Sequence, residues 1–153
     1  MANFDILQAE ANALIAMKKI KVNDDIHEYP DLGGSLRIPL TSEDKREEFM
    51  VDITRGKIEI AKGTLQNRAR QVIILLRLDY DGALHRNPDG EEIPCPHLHI
   101  YREGYGDKWA VPIPTHDFPN THDHWQTLQD FMRYCNITDN PKSRKGYLHD
   151  GRN

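Results

Sequence analysis

The chain predicts an α+β domain: an antiparallel sheet of about six strands, with an N-terminal and a C-terminal helix packed on one face. Three observations lead there. Apolar residues recur at helical spacing only near the two ends of the chain. Between the ends the period changes to two, the repeat of a half-buried strand. The order is one helix, then strands, then one helix, which suits helices covering one face of an antiparallel sheet and leaving the other for function. With 153 residues, 38% of them hydrophobic and 29% charged, the chain is long enough for one domain with a real core. The domain is expected over 1–139, followed by a polar, flexible tail over 140–153.

The first helix is expected over 3–20. Asn3 caps it, Asp5 sits at its positive end, and Lys18 and Lys19 at its negative end, with Phe4, Leu7, Ala11 and Leu14 as the buried stripe. Residues 21–35 hold Pro30, Gly33 and Gly34 and read as an irregular connection. Leu36, Ile38 and Leu40 alternate with polar residues, and Pro39 puts this first strand at an edge. Phe49, Val51 and Ile53 make a second strand, Ile58 and Ile60 a third, with a tight hairpin at Arg55-Gly56. Gln66 to Arg70 reads as strand or turn. Residues 71–79 are the most hydrophobic run and suit a central strand with Val72, Ile74, Leu76 and Leu78 on one face and Arg77 and Asp79 on the other. A turn-rich loop over 80–96 precedes the strand from His97. After the turn at Gly104-Tyr105-Gly106-Asp107 comes a strand with Trp109, Val111 and Ile113 on one face. The last helix is capped by Thr121, carries Asp123 in its first turn, and turns Trp125, Leu128, Met132 and Cys135 inward.

Composition narrows the function classes. No apolar run approaches the roughly 18 residues of a membrane span, and no signal-peptide pattern opens the chain, so a cytoplasmic location without membrane contact is expected. Cys95 and Cys135 form no CxxC pair, so free thiols are expected and a zinc knuckle is not. From Arg55 to Arg77 six basic residues face one acidic residue, a local balance of +5, while the rest of the chain carries −9 of the total of −4. Such a strip attracts a phosphate backbone or an acidic partner, unless its side chains simply face water.

The candidate site centres on Pro96-His97-Leu98-His99-Ile100-Tyr101. Its alternation turns Leu98 and Ile100 to the core and His97, His99 and Tyr101 to the other face, with the two imidazoles roughly 7 Å apart along the strand. Asp79 and His97 bracket the long loop, so their strands should pair antiparallel and bring Arg77 and Asp79 beside His97 and His99. Lys108 should project from the next strand, and His85 and Arg86 should fold over from the loop. Three chemistries fit. One histidine can act as general base on a ribose 2′-hydroxyl, with another group as acid and Arg77, Arg102 or Lys108 on the phosphorane. His97 and His99 can hold a metal with Asp79, Glu103 or His85, and His97-x-His99-x-x-x-Glu103 is similar to the first cupin metal motif, though the second motif is missing. The face can also bind nucleic acid or protein without chemistry. His116, His122 and His124 surround a helix start and read as capping or solvated residues, and Trp109 and Trp125 as core.

The run from Leu75 through Pro114, with His85-Arg86-Asn87-Pro88-Asp89-Gly90, Pro96-His97-Leu98-His99-Ile100-Tyr101-Arg102-Glu103-Gly104 and Asp107-Lys108-Trp109-Ala110, resembles the signature of an uncharacterised family of small bacterial proteins from mobile or defence-related regions. More distantly, Arg77, Asp79, His85, His97 and His99 are laid out in a way similar to compact histidine-containing toxins of toxin–antitoxin pairs, which implies action on RNA or nucleotides. The leading expectation is therefore a small toxin-like protein acting on RNA or another phosphodiester. His97, His99 and Asp79 are its catalytic candidates, and Arg77, Tyr101, Lys108, His85 and Arg86 its substrate-binding candidates, with no metal and no cofactor. The alternative is a non-catalytic module of a mobile element that binds nucleic acid or a protein partner, an inhibitor or antitoxin.

Overall fold

The computed structural model describes residues 5–57 and 62–145. Chain order is α1 (Gln8–Ala16), β1 (Lys19–Lys21), β2 (Ile26–Glu28), β3 (Ser35–Ser42), β4 (Glu48–Arg55), β5 (Gly63–Ala69) and β6 (Ile73–Asp79). A small hairpin follows, β7 (His85–Arg86) and β8 (Glu92–Ile93), then β9 (His97–Ile100), β10 (Ala110–Pro112), α2 (His124–Tyr134), β11 (Ile137–Asp139) and β12 (Lys142–Arg144). The fold is α+β. Its main sheet has eight strands in the order β10-β9-β6-β5-β4-β3-β1-β11, more than the six expected, and only β1 and β11 run parallel. The additional strands are three residues long, too short for a period of two to stand out in the sequence.

Alternation decides which face is buried. Ile38, Val51 and Ile53, then Leu65, Leu78 and Leu98, meet across successive ladders and are all buried. Ala11 and Leu14 of α1 and Leu128, Phe131 and Met132 of α2 join the same cluster, so both helices contribute to one core. In β6 the alternation slips. Asn67 pairs with Leu76 while Arg68 pairs with Ile74, so Leu75 is an extra residue in its strand. As a result Ile73 is buried and Val72 is 47% exposed, the reverse of a straight period-two reading, whereas Leu76 and Leu78 keep their inward places and Arg77 and Asp79 their outward ones.

Several expectations change in the structure. The first helix is Gln8–Ala16, shorter than 3–20, and Leu7 is 66% exposed rather than part of the stripe. Asn3 and Phe4 lie outside the described residues. Lys19 starts a strand, and its ammonium donates to the carbonyls of Ile15, Met17 and Cys135 at 2.9, 2.9 and 2.7 Å, joining the C-terminal ends of both helices. β3 lies between β4 and β1, not at an edge, and Pro39 falls one residue past the stretch that β1 covers. β4 and β5 are joined through residues 56–62 rather than by a tight turn at Arg55-Gly56, and Ile58 and Ile60 lie outside the described residues. Asp123, not Thr121, caps α2, its carboxylate accepting from the Gln126 N–H at 3.0 Å. In β10 Ala110 is buried and Val111 exposed at the sheet edge. Within 140–145, Lys142–Arg144 pairs with β2, so this part of the tail is held, while 146–153 lie outside the described residues. Among the described residues no helix is long and apolar enough to cross a membrane.

Candidate functional site

β6 and β9 pair antiparallel with Arg77 opposite His99 and Asp79 opposite His97. All four side chains leave the sheet on the face away from Leu78 and Leu98. Antiparallel pairing brings opposite residues close on one face, and here it gathers two imidazoles, a carboxylate and a guanidinium.

The Asp79 carboxylate is the hub. Its Oδ2 lies 3.0 Å from His97 Nε2 and 3.2 Å from His99 Nε2. Arg77 Nε donates to Oδ1 at 3.2 Å, and its Nη1 reaches the Asp107 carboxylate at 2.7 Å. Burial alone raises the pKa of Asp79. The hydrogen bond with His99, the charge of Arg77 and the hydrogen bond with His97 outweigh it and hold the carboxyl at about 2.

The tautomers follow from the partners. His99 Nδ1 lies 2.8 Å from the Asp107 carbonyl, which can only accept, so that nitrogen bears the proton. With both nitrogens protonated, Nε2 donates to Asp79 Oδ2 at 3.2 Å, the contact that lowers the carboxyl; in the neutral ring Nε2 keeps a lone pair and accepts from Arg77 Nη2 at 3.0 Å. His85 Nε2 faces the Lys108 carbonyl at 2.7 Å and is protonated by the same logic. His97 presents Nδ1 to Cys95 Sγ at 3.5 Å. The ring centroids of His97 and His99 are 4.9 Å apart, and His85 packs against them at 5.8 and 4.5 Å.

The face is not open, as the sequence suggested, because the chain on either side of β9 folds back over it. His97 is 2% and His99 1% exposed. The covering hairpin is fastened by Asn87, which is buried and behaves as an added strand: its Nδ2 donates to the Ala110 carbonyl at 2.9 Å and its Oδ1 accepts from the Ala110 N–H at 2.8 Å. Asn87→Ala leaves both Ala110 groups unpaired and is expected to cost about 2 kcal/mol. Urea unfolding checks the loss, and faster exchange of the Ala110 amide checks its location. A loss under about 0.5 kcal/mol would mean that water replaces the clamp.

Access comes from one side, through a cleft of about 490 Å³ lined by Arg77, Asp79, Asp81, His85, Cys95 and His97 among others. His99 stands behind this lining. The structure therefore brings Arg77, Asp79, His85, His97 and His99 together, and leaves three of the expected site residues elsewhere. β9 ends at Ile100, so the alternation stops before Tyr101, which is buried and uses its hydroxyl on Asp5 and Ile6 at 2.9 and 2.7 Å. Lys108 is exposed and lends His85 only its carbonyl. Arg86 is exposed and paired with Glu92 at 2.8 Å. Glu103, which a cupin-like set would need, accepts from the Gln8 N–H at 2.7 Å at the start of α1. Sequence reasoning missed Asp107 and Asn87. The signal for Asp107 was the antiparallel return of the chain after Gly104-Tyr105-Gly106, which lays β10 beside β9 and supplies the Ala110 groups that Asn87 holds.

A model of a family of unknown function, DUF6978, matches residues 6–137. The chain belongs to that family. The DUF6978 match spans both helices, all eight strands of the main sheet to Ile137, and every residue of the Asp79 cluster. No curated protein and no solved structure matches the chain.

Proposed function

We propose that this protein cleaves RNA or another phosphodiester at the cleft beside His97, as a small toxin-like enzyme. The observation that carries the reading is the convergence of two buried imidazoles on one ionised carboxylate, with a guanidinium locked beside them. Arg77 supplies a fixed positive charge where a phosphorane would develop negative charge. His97, its Nε2–H on the Asp79 carboxylate, takes the proton of the attacking hydroxyl or water on Nδ1 as that oxygen forms the new P–O bond. As an imidazolium, His85 keeps its Nε2–H on the Lys108 carbonyl and gives its Nδ1 proton to the leaving oxygen as that P–O bond breaks. Histidine suits such transfers because its ordinary pKa of about 6.5 lies near working pH. His99, behind the cleft lining, orients the carboxylate and is a positioning residue.

The non-catalytic alternative needs free cations, and two central ones are held internally. Arg68 grips Asp52 at 2.6 and 2.9 Å, and Arg70 grips Glu47 and Glu10 at 2.8 and 2.6 Å.

The test is cleavage of single-stranded RNA, single-stranded DNA and cyclic nucleotides by purified untagged protein. Wild type should cut at least one, and His97→Ala and His85→Ala should slow it by about 10²- to 10⁴-fold. Expression should slow a host's growth, and His97→Ala with His99→Ala should relieve it. If no phosphodiester is cut, or the variants cut at the wild-type rate, the reading falls.

A further inference from the structure

We infer that Asp79 Oδ2, His97 Nε2 and His99 Nε2 form a binding site for one divalent transition-metal ion of the zinc class. The sequence offered a metal held by His97 and His99 as one of three chemistries but led with a metal-free cluster, and the case for the ion rests on geometry and charge. The carboxylate oxygen stands 3.0 and 3.2 Å from the two ring nitrogens. Around an ion with bonds of about 2.1 Å, neighbouring ligand atoms lie roughly 3.0 Å apart in an octahedron and 3.4 Å in a tetrahedron. All three atoms lie within 4.8 Å of one another, so seating both imidazoles on one ion needs a shift of under about an ångström in each. Two imidazoles and one carboxylate are the donor set of catalytic zinc sites that keep a further position for water.

The surroundings agree. In the neutral ring the Asp107 carbonyl accepts from His99 Nδ1–H and the Nε2 lone pair is left for the ion, the outer contact that fixes a metal-binding histidine. With neutral histidines, Arg77, Asp79 and Asp107 carry one net negative charge, and Asp81 adds another at the cleft wall. Arg77 Nη2 now takes the His99 lone pair at 3.0 Å. An incoming ion displaces that contact and the His97–Asp79 hydrogen bond, the His97 proton passing to Nδ1, while Arg77 Nη1 stays on Asp107 at 2.7 Å. The free position of the ion faces the cleft, because His97 and Asp79 line it.

This inference rests on the phosphodiester reading for its chemical role and deepens it. Held by Asp79, His97 and His99, the ion would supply Lewis-acid activation of a water, and His85 Nδ1 would carry the proton from the attacking oxygen to the leaving oxygen as one P–O bond forms and the other breaks.

The experiment uses untagged full-length protein stripped with chelator, then titrated separately with Zn²⁺, Mn²⁺, Ni²⁺ and Co²⁺. One equivalent should bind, and saturation at about 100-fold over Kd should raise the melting temperature by about 5–10 °C. Asp79→Asn and His97→Gln should abolish the equivalent and the shift, whereas His116→Gln, at an exposed position, should leave both unchanged. Should the buried variants fail to fold, wild type alone still decides, because Co²⁺ in the site should develop a visible ligand-field absorption that Zn²⁺ displaces. No stoichiometric binding by any of the four ions, or binding that persists in folded Asp79→Asn, overturns the inference. Cleavage that survives chelator without bound metal would overturn the ion and leave the phosphodiester reading standing. Stoichiometric metal without any cleavage would do the opposite.

Discussion

Lys19→Met should destabilise the protein by about 3–5 kcal/mol, a loss of the size expected when a large core side chain is truncated. Lys19 is fully buried, and its ammonium serves three carbonyls: Ile15 and Met17 at the end of α1 and Cys135 at the end of α2. Helix ends leave carbonyls without intrahelical partners, and here one cation collects them from both helices. Burial pushes the Lys19 pKa down to about 8, so at neutral pH the group is still mostly charged and the contacts stand. Methionine fills the space but donates nothing, so three acceptors lose their donor at about 1–3 kcal/mol each, offset in part because no ammonium is then buried. The melting temperature should fall by roughly 10–15 °C, on a scale of about 2–4 °C per kcal/mol for a domain of this size. Thermal and urea unfolding read it directly. A loss below about 1 kcal/mol would show that water or a rearranged turn serves these carbonyls.

Asp79→Asn should remove about 2 kcal/mol at neutral pH and change the acid limb of the stability curve. The carboxyl is held at about 2 in the fold against an ordinary 3.8. A depressed folded pKa contributes stability that is full above the unfolded value and lost as pH falls through the folded one. The contribution is therefore present above about pH 4 and disappears by about pH 2, and a shift of this size corresponds to about 2 kcal/mol. Wild type in chelator should lose this amount between pH 4 and pH 2 relative to the variant, whose amide does not titrate there. Parallel curves for the two proteins across that window would mean that the Arg77 and histidine contacts do not hold the carboxylate as the geometry indicates.

The cluster itself was legible to an unusual degree because it lies on two strands joined by one loop. Alternation sends Arg77, Asp79, His97 and His99 to the polar face, and antiparallel pairing places Arg77 against His99 and Asp79 against His97. Tyr101 was misplaced because alternation holds only while the strand lasts, and β9 stops at Ile100. Lys108 was misplaced because its position was inferred from Trp109 pointing inward, whereas the residue buried there is Ala110. Leu75 upset the reading of β6 in the same local way, an inserted residue shifting every side chain before it to the opposite face.

What the sequence by itself determined was the material of this protein and its local order: two helical ends, a sheet with one apolar and one polar face, and a histidine strand next to an Arg-x-Asp strand. These follow from short-range periodicity, which a chain carries residue by residue. Only the tertiary structure decided that the polar face is covered, that Asp107 and Asn87 arrive from the chain on either side of β9, and that Lys19 joins the ends of both helices, reaching the Cys135 carbonyl 116 residues along the chain. Such contacts depend on long-range closure, where distance along the chain says nothing about distance in space. Burial also turns a pair of imidazoles into a carboxylate-bridged site, because partial removal from water is what makes a charge and its partner set each other's state.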